Sequence, residues 1–94
     1  MTNGEIWLMR LDKVRPGVIV RSVPWLSEAH IVPITSTIRG LPSEIEIPDM
    51  RIASVANAQR LMLVPTDNFV RRIGALPADV FDDLALAVCT VLGC

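Results

Sequence analysis

Residues 31–42 read IVPITSTIRGLP: an apolar run closed by Thr35, Ser36 and Thr37, then Arg39, then a Gly-Leu-Pro break. Arg15, next to Pro16, stands just before a second apolar run, GVIV. Hydroxyls and a guanidinium together can hold a tetrahedral or pentacoordinate phosphorus centre, the guanidinium reaching two oxygens and the hydroxyls adding short bonds. In an extended segment side chains alternate in direction, so Thr35 and Thr37 share a face that Ser36 does not. The same Thr-Ser-Thr is also ordinary turn composition, and Arg39-Gly40 also suits a solvent-facing bend. The pattern alone leaves both readings open.

Other chemistries find less support. His30 is the only histidine. On one strand with Thr35 it would lie ~16 Å away, too far to assist a hydroxyl nucleophile, so a half-exposed strand histidine is the plainer reading. Zinc would need more ligands than His30, Cys89 and Cys94 supply. The two cysteines, in or just beyond the last helical pattern, are too few and too clustered for a disulfide framework and read as free thiols. No Ser-His-Asp spacing, glycine-rich phosphate loop or paired-carboxylate arrangement stands out, and Asp82-Asp83 reads as a solvated helix face. Neither a metal nor another cofactor is expected.

A net charge of −1 argues against broad attraction to nucleic acid. Eight of the nine cations are arginine, Lys13 being the exception. Arginine's planar fork suits phosphate and carboxylate better than lysine's point charge, so a phosphate site here is local and geometric. Most of the arginines read as solvated surface. Four aromatic residues, Trp7, Trp25, Phe69 and Phe81, are too few for the multi-ring platform of an ordinary single-strand binder.

The elements that would position Arg15 and the hydroxyls follow from hydropathy. Glu5–Leu11 and Gly17–Ser22 predict two strands. The short Asp12–Pro16 link between them allows only an antiparallel hairpin. His30–Ile34 predicts a third strand in which Pro33 calls for an edge or a bulge, since it lacks a ladder donor. Glu44–Ile47 alternates as a fourth, between Pro42 and Pro48. Residues 53–56 and 60–64 read as a fifth, bent or interrupted, and 71–76 as a short last one. Thr66-Asp67-Asn68 offers an N-cap for a single helical turn. In residues 77–93, Val80, Leu84, Val88 and Val91 recur at helical spacing, joined by Phe81 and Leu92, with Pro77 entering and Gly93 leaving. Short antiparallel strands followed by a terminal helix indicate a small α+β, barrel-like fold.

If strands two and three form a hairpin centred near Trp25, partners have numbers adding to about fifty. Arg15 then faces Thr35, and the arginine and the hydroxyl cluster arrive at one rim of the sheet. The length of 94 residues fits one compact domain. No stretch reaches the ~20 apolar residues of a membrane span, and Met1–Arg10 lacks a signal-peptide order, so no membrane association and a cytoplasmic location are expected. With 51% hydrophobic residues and a mean hydropathy of +0.45, the chain has more apolar surface than one small barrel easily buries, and a two-fold mate would cover it.

Three stretches in order resemble the MazF/PemK family of toxin endoribonucleases from type II toxin-antitoxin pairs: GEIWLMRLDKVRPGVIV, VPITSTIRGLPSEIEI, and RRIGAL followed by a helix ending in Leu-Gly. The resemblance covers nearly the whole chain and implies one MazF-like toxin domain over residues 1–94. It implies an SH3-like antiparallel β-barrel of the CcdB/MazF kind with a C-terminal helix, working as a homodimer. The implied activity is metal-independent, sequence-specific cleavage of single-stranded RNA through its own 2′-hydroxyl, leaving 2′,3′-cyclic phosphate and 5′-hydroxyl ends. The implied partner is a MazE-like antitoxin.

By the same resemblance the catalytic arginine beside Arg-Pro falls on Arg15 and the catalytic threonine of Pro-x-Thr-Ser on Thr35. The expected RNA-contacting residues are Lys13, Arg21, Ser36, Thr37 and Arg39. The chain departs from many relatives in its short first loop and in Ala58-Gln59-Arg60, where an acidic or Asp-Asn pair is common. A second reading from another class is a non-enzymatic CcdB-like toxin that binds DNA gyrase, although that type grips its target with an aromatic-containing C-terminal end and this chain ends Val-Leu-Gly-Cys.

Overall fold

The computed structural model describes residues 1–94. Its strands are β1 (Glu5–Arg10), β2 (Val14–Val23), β3 (Glu28–Thr35), β4 (Glu44–Ile47), β5 (Ser54–Asn57), β6 (Met62–Pro65) and β7 (Phe69–Ala75), followed by the helix α1 (Ala78–Leu92). Every pairing is antiparallel. The sheet runs β4-β5-β3-β2-β1-β7, with β6 joined to β3 off this path. It curls like a barrel without closing. No helix is long and apolar enough to cross a membrane.

The unbroken apolar runs of β2 and β3 reflect burial on both faces. Val18 and Val32 belong to one core cluster, with Ile6, Ile34, Ala56, Leu84 and Val88, whereas their neighbours Ile19 and Ile31 belong to a second, with Met9, Ala29 and Val64. Successive strand residues point to opposite faces, so a strand covered on both sides shows no polar alternation. The helix covers the first cluster through Leu84 and Val88, with Val80, Phe81 and Ala87 packed partly against it. Val91 and Leu92, expected on the same apolar face, are exposed at 43% and 64% and are not among the groups packed against that cluster.

Gly17↔Pro33, Val18↔Val32 and Ile19↔Ile31 have the predicted register, and a bulge then moves the pairing to Arg21↔His30. The hairpin closes through a 3-10 turn at Pro24–Leu26 with Ser27 in the left-handed region. Pro33 falls where β3 changes its outer partner, from β6 along Glu28–Ile31 to β5 along Ile34–Thr35. The missing N–H therefore interrupts no continuous ladder. The fifth expected strand is two strands, parted by a 3-10 turn at Ala58–Arg60 that begins where Asn57 Oδ1 accepts the Gln59 N–H at 3.0 Å. The Thr66–Asn68 segment is a 3-10 turn with no side-chain cap; Thr66 instead donates its N–H and hydroxyl to the Ser27 carbonyl.

The N-terminal Gly-Glu-Ile-Trp is a three-way tie. Gly4 has φ +89°, donates its N–H to Ile19 and accepts from Leu76, and an added Cβ would lie 3.3 Å from the Phe81 ring. Glu5 accepts from Thr2 N–H and Trp7 Nε1 and pairs with Arg72, joining β1 to β7. The thiols differ from expectation: Cys89 and Cys94 form a disulfide, and no free cysteine remains. Gly93, left-handed at φ 80°, turns the chain back so that Cys94 returns to the last turn of α1.

Candidate functional site

The hairpin register carries Arg15 and Thr35 to the same rim, two residues beyond the Gly17↔Pro33 pair. Arg15 opposes Met9 on β1, and Thr35 closes β3 opposite Val55 of β5. Both line a cavity of about 570 Å³. Thr37 and Arg39 reach it from the loop after β3, and Ser36, exposed between the threonines, does not. β3 ends at Thr35 and the chain bends at Ser36.

Lys13, exposed in the β1–β2 turn, is not on the cavity wall. Arg21 is exposed near the opposite end of the hairpin, against His30. The site thus gathers Arg15, Thr35, Thr37 and Arg39 and leaves Lys13, Arg21 and Ser36 outside. Its other polar wall residues, Glu44, Asn57, Gln59 and Arg60, were not among the expected site residues. They arrive through tertiary pairing: β5 pairs with the end of β3 and β4 with β5, and the turn after β5 brings Gln59 and Arg60 round to the rim. The one local signal was Asn57 before Ala-Gln-Arg, a cap residue before a short turn.

The side chains are oriented by hydrogen bonds. Arg15 Nη2 donates to Asp12 Oδ2 at 3.1 Å, and Arg15 Nε is buried without a partner. The guanidinium therefore retains donor capacity for another anion. Thr35 Oγ1 accepts the Thr37 N–H at 3.1 Å, which fixes the oxygen and leaves the hydroxyl proton free to be donated. Asn57 Oδ1 accepts from Ser43 Oγ at 2.8 Å as well as from Gln59 N–H, so its amide nitrogen remains available as a donor.

Three arginines and one carboxylate share this wall in a chain whose net charge is −1. That carboxylate, Glu44, is held below the ordinary acid range chiefly by the Arg39 N–H and then by the Leu41 N–H. The cavity is locally cationic, donor-rich and sized for a small segment of a polyanion. No three His, Cys, Asp or Glu side chains are grouped as metal ligands.

Residues 2–92 match the family described as PemK-like, MazF-like toxin of type II toxin-antitoxin system. The chain is 34% identical over 89 residues to Endoribonuclease MazF3 of Mycobacterium tuberculosis, covering 88% of this chain and 86% of that protein. The solved Mycobacterium tuberculosis toxin MazF-mt6 superposes with a TM-score of 0.86 at 29% identity, covering 95% of this chain and 96% of that one. A mycobacterial endoribonuclease in complex with its cognate antitoxin shares the fold, with a TM-score of 0.87 at 19% identity, covering 99% of this chain and 95% of that one. With a match across nearly its whole length and a relative above 30% identity, the chain belongs to the PemK-like, MazF-like toxin family of type II toxin-antitoxin systems.

Proposed function

We propose that this toxin is a metal-independent endoribonuclease that cuts single-stranded RNA, with Arg15 and Thr35 as its catalytic pair. The supporting observation is their meeting on one cationic wall, with unused donor capacity on both side chains. Relatives named endoribonuclease support the same substrate.

In this reading the RNA 2′-oxygen attacks phosphorus as its proton leaves, the P–O5′ bond breaks, and O5′ takes up a proton. The products are a 2′,3′-cyclic phosphate and a 5′-hydroxyl. Negative charge grows on the non-bridging oxygens as the phosphorane forms. Arg15 neutralises it with paired N–H donors, and the Thr35 hydroxyl donates to a phosphoryl or flanking oxygen. A guanidinium offers donors and no acceptor, so Arg15 acts as an electrostatic group rather than a free base. Thr37, Arg39 and Arg60 line the path of flanking phosphates.

The functional unit in this proposal is a homodimer. Support comes from the exposed apolar groups that one chain leaves uncovered, among them Leu86 at 69% and Leu92 at 64%. A disordered acidic segment of a cognate antitoxin would fold over the arginines and occlude the cavity. The gyrase-binding alternative draws no support from these relatives.

Purified wild type is expected to cleave a single-stranded RNA in EDTA, whereas Arg15→Ala and Thr35→Ala lose cleavage and keep the wild-type circular dichroism spectrum. Full activity in both variants removes the assignment. A 5′-phosphate on the products would remove the 2′-hydroxyl route.

A further inference from the structure

Glu44 is the only carboxylate on the cavity wall, and its oxygens are turned into the protein's own backbone. The Arg39 N–H donates to Oε2 at 3.0 Å and Oε1 at 3.2 Å, and the Leu41 N–H donates to Oε1 at 2.9 Å. Between them Gly40 takes φ +73°, and the Arg39 and Leu41 N–H groups on either side of it converge on one carboxylate, as in an anion-binding nest. No other protein acceptor serves the N–H groups of Arg39 or Leu41.

Residues 36–43 contain no helix or strand. At the near end the loop is held by the Thr37 N–H on Thr35 Oγ1. At the far end the Ser43 carbonyl accepts from Ala58 N–H, and Ser43 Oγ donates to Asn57. In the middle, where Arg39 leaves the chain toward the cavity, the Glu44 carboxylate supplies the attachment. The Glu44 N–H in turn donates to the Leu41 carbonyl at 3.0 Å, closing the loop on itself.

We infer that Glu44 is a positioning residue whose carboxylate fastens the Thr37–Leu41 loop, so that Thr37 and Arg39 stand ready on the cavity wall to hold a phosphodiester strand. The inference rests on the RNA reading of the cavity. Glu44 acts on how tightly the strand is held, not on the bond-breaking step: its lone pairs are committed to N–H donors, which makes it a poor proton acceptor. Without the carboxylate the loop has more conformations to lose on binding, and affinity falls.

The test uses full-length Glu44→Ala and Glu44→Gln, with a 2′-deoxy single strand that cannot be cleaved and the matching RNA. In Glu44→Ala, exchange of the Arg39 and Leu41 amides should speed up by at least ~10-fold while the Leu84 amide is unchanged. Affinity for the deoxy strand should fall ~10-fold, and KM for the RNA should rise by a similar factor with kcat within ~3-fold. Glu44→Gln, which keeps one acceptor oxygen, should fall between; it carries the same test if the alanine variant does not fold. Unchanged exchange at Arg39 and Leu41, or faster exchange with unchanged affinity, overturns the inference. So does a loss confined to kcat. A wild type that binds the deoxy strand but cuts no RNA overturns the nuclease reading and leaves Glu44 judged on affinity, and one that binds no strand overturns both.

Discussion

Arg15 Nη2 lies 3.1 Å from Asp12 Oδ2, across the turn that joins β1 to β2. The aspartate side chain is 72% exposed, so water screens the pair and its contribution to folding is under ~1 kcal/mol. Its effect is to aim the guanidinium. Asp12→Asn is expected to leave the urea midpoint unchanged and to lower kcat by less than ~10-fold, against more than ~100-fold for Arg15→Ala. Single-turnover cleavage checks both, and equal losses would show that the carboxylate does more than orient.

Arg39→Ala and Arg60→Ala each take one cation from the cavity wall. Each should weaken single-strand binding and reduce the slope of log affinity against log salt by ~0.7. Arg21→Ala, at the other end of the hairpin, should leave that slope unchanged. Fluorescence anisotropy over a series of salt concentrations distinguishes the three.

Glu5 provides a pH test of the N-terminal tie. Its carboxyl is held below the ordinary 4.5, first by the Thr2 N–H, then by Trp7 Nε1, with Arg72 adding to them. A carboxyl depressed in the folded state binds protons more readily when unfolded. Its stabilisation is therefore complete above that ordinary value and declines as pH falls through the lower folded value. Denaturation curves from neutral to acidic pH should show Glu5→Gln with a smaller loss of stability below 4.5 than wild type.

The grip of the helix on the sheet depends on Leu84, fully buried in the first core cluster. Leu84→Ala should cost about 2–5 kcal/mol, read as a lowered denaturant midpoint. Asp82→Ala, on the exposed face of the same helix, should cost under ~0.5 kcal/mol.

With both cysteines paired, the protein prepared without reductant should present no reactive thiol to a maleimide, and two after reduction. Labelling of the unreduced protein would contradict the Cys89–Cys94 bond.

Local chemistry in the chain was enough to locate the helix, bounded by Pro77 and left-handed Gly93, and to place the β2–β3 hairpin in register. From that register Arg15 and Thr35 could be brought to one rim, because an antiparallel ladder relates its partners by a simple count. The count says nothing about β4 and β5, whose pairing beside the end of β3 delivers Glu44, Asn57, Gln59 and Arg60 to the same cavity. Nor could hydropathy tell Lys13, Arg21 and Ser36 from Arg39, since all four are exposed and polar and differ in where the fold carries them. The cysteine pair was misread for the same reason: five positions apart on a straight helix two thiols do not meet, and the reversal after Gly93 brings them together. Periodic burial writes itself into composition, whereas the meeting of distant polar groups depends on how whole strands are laid beside one another.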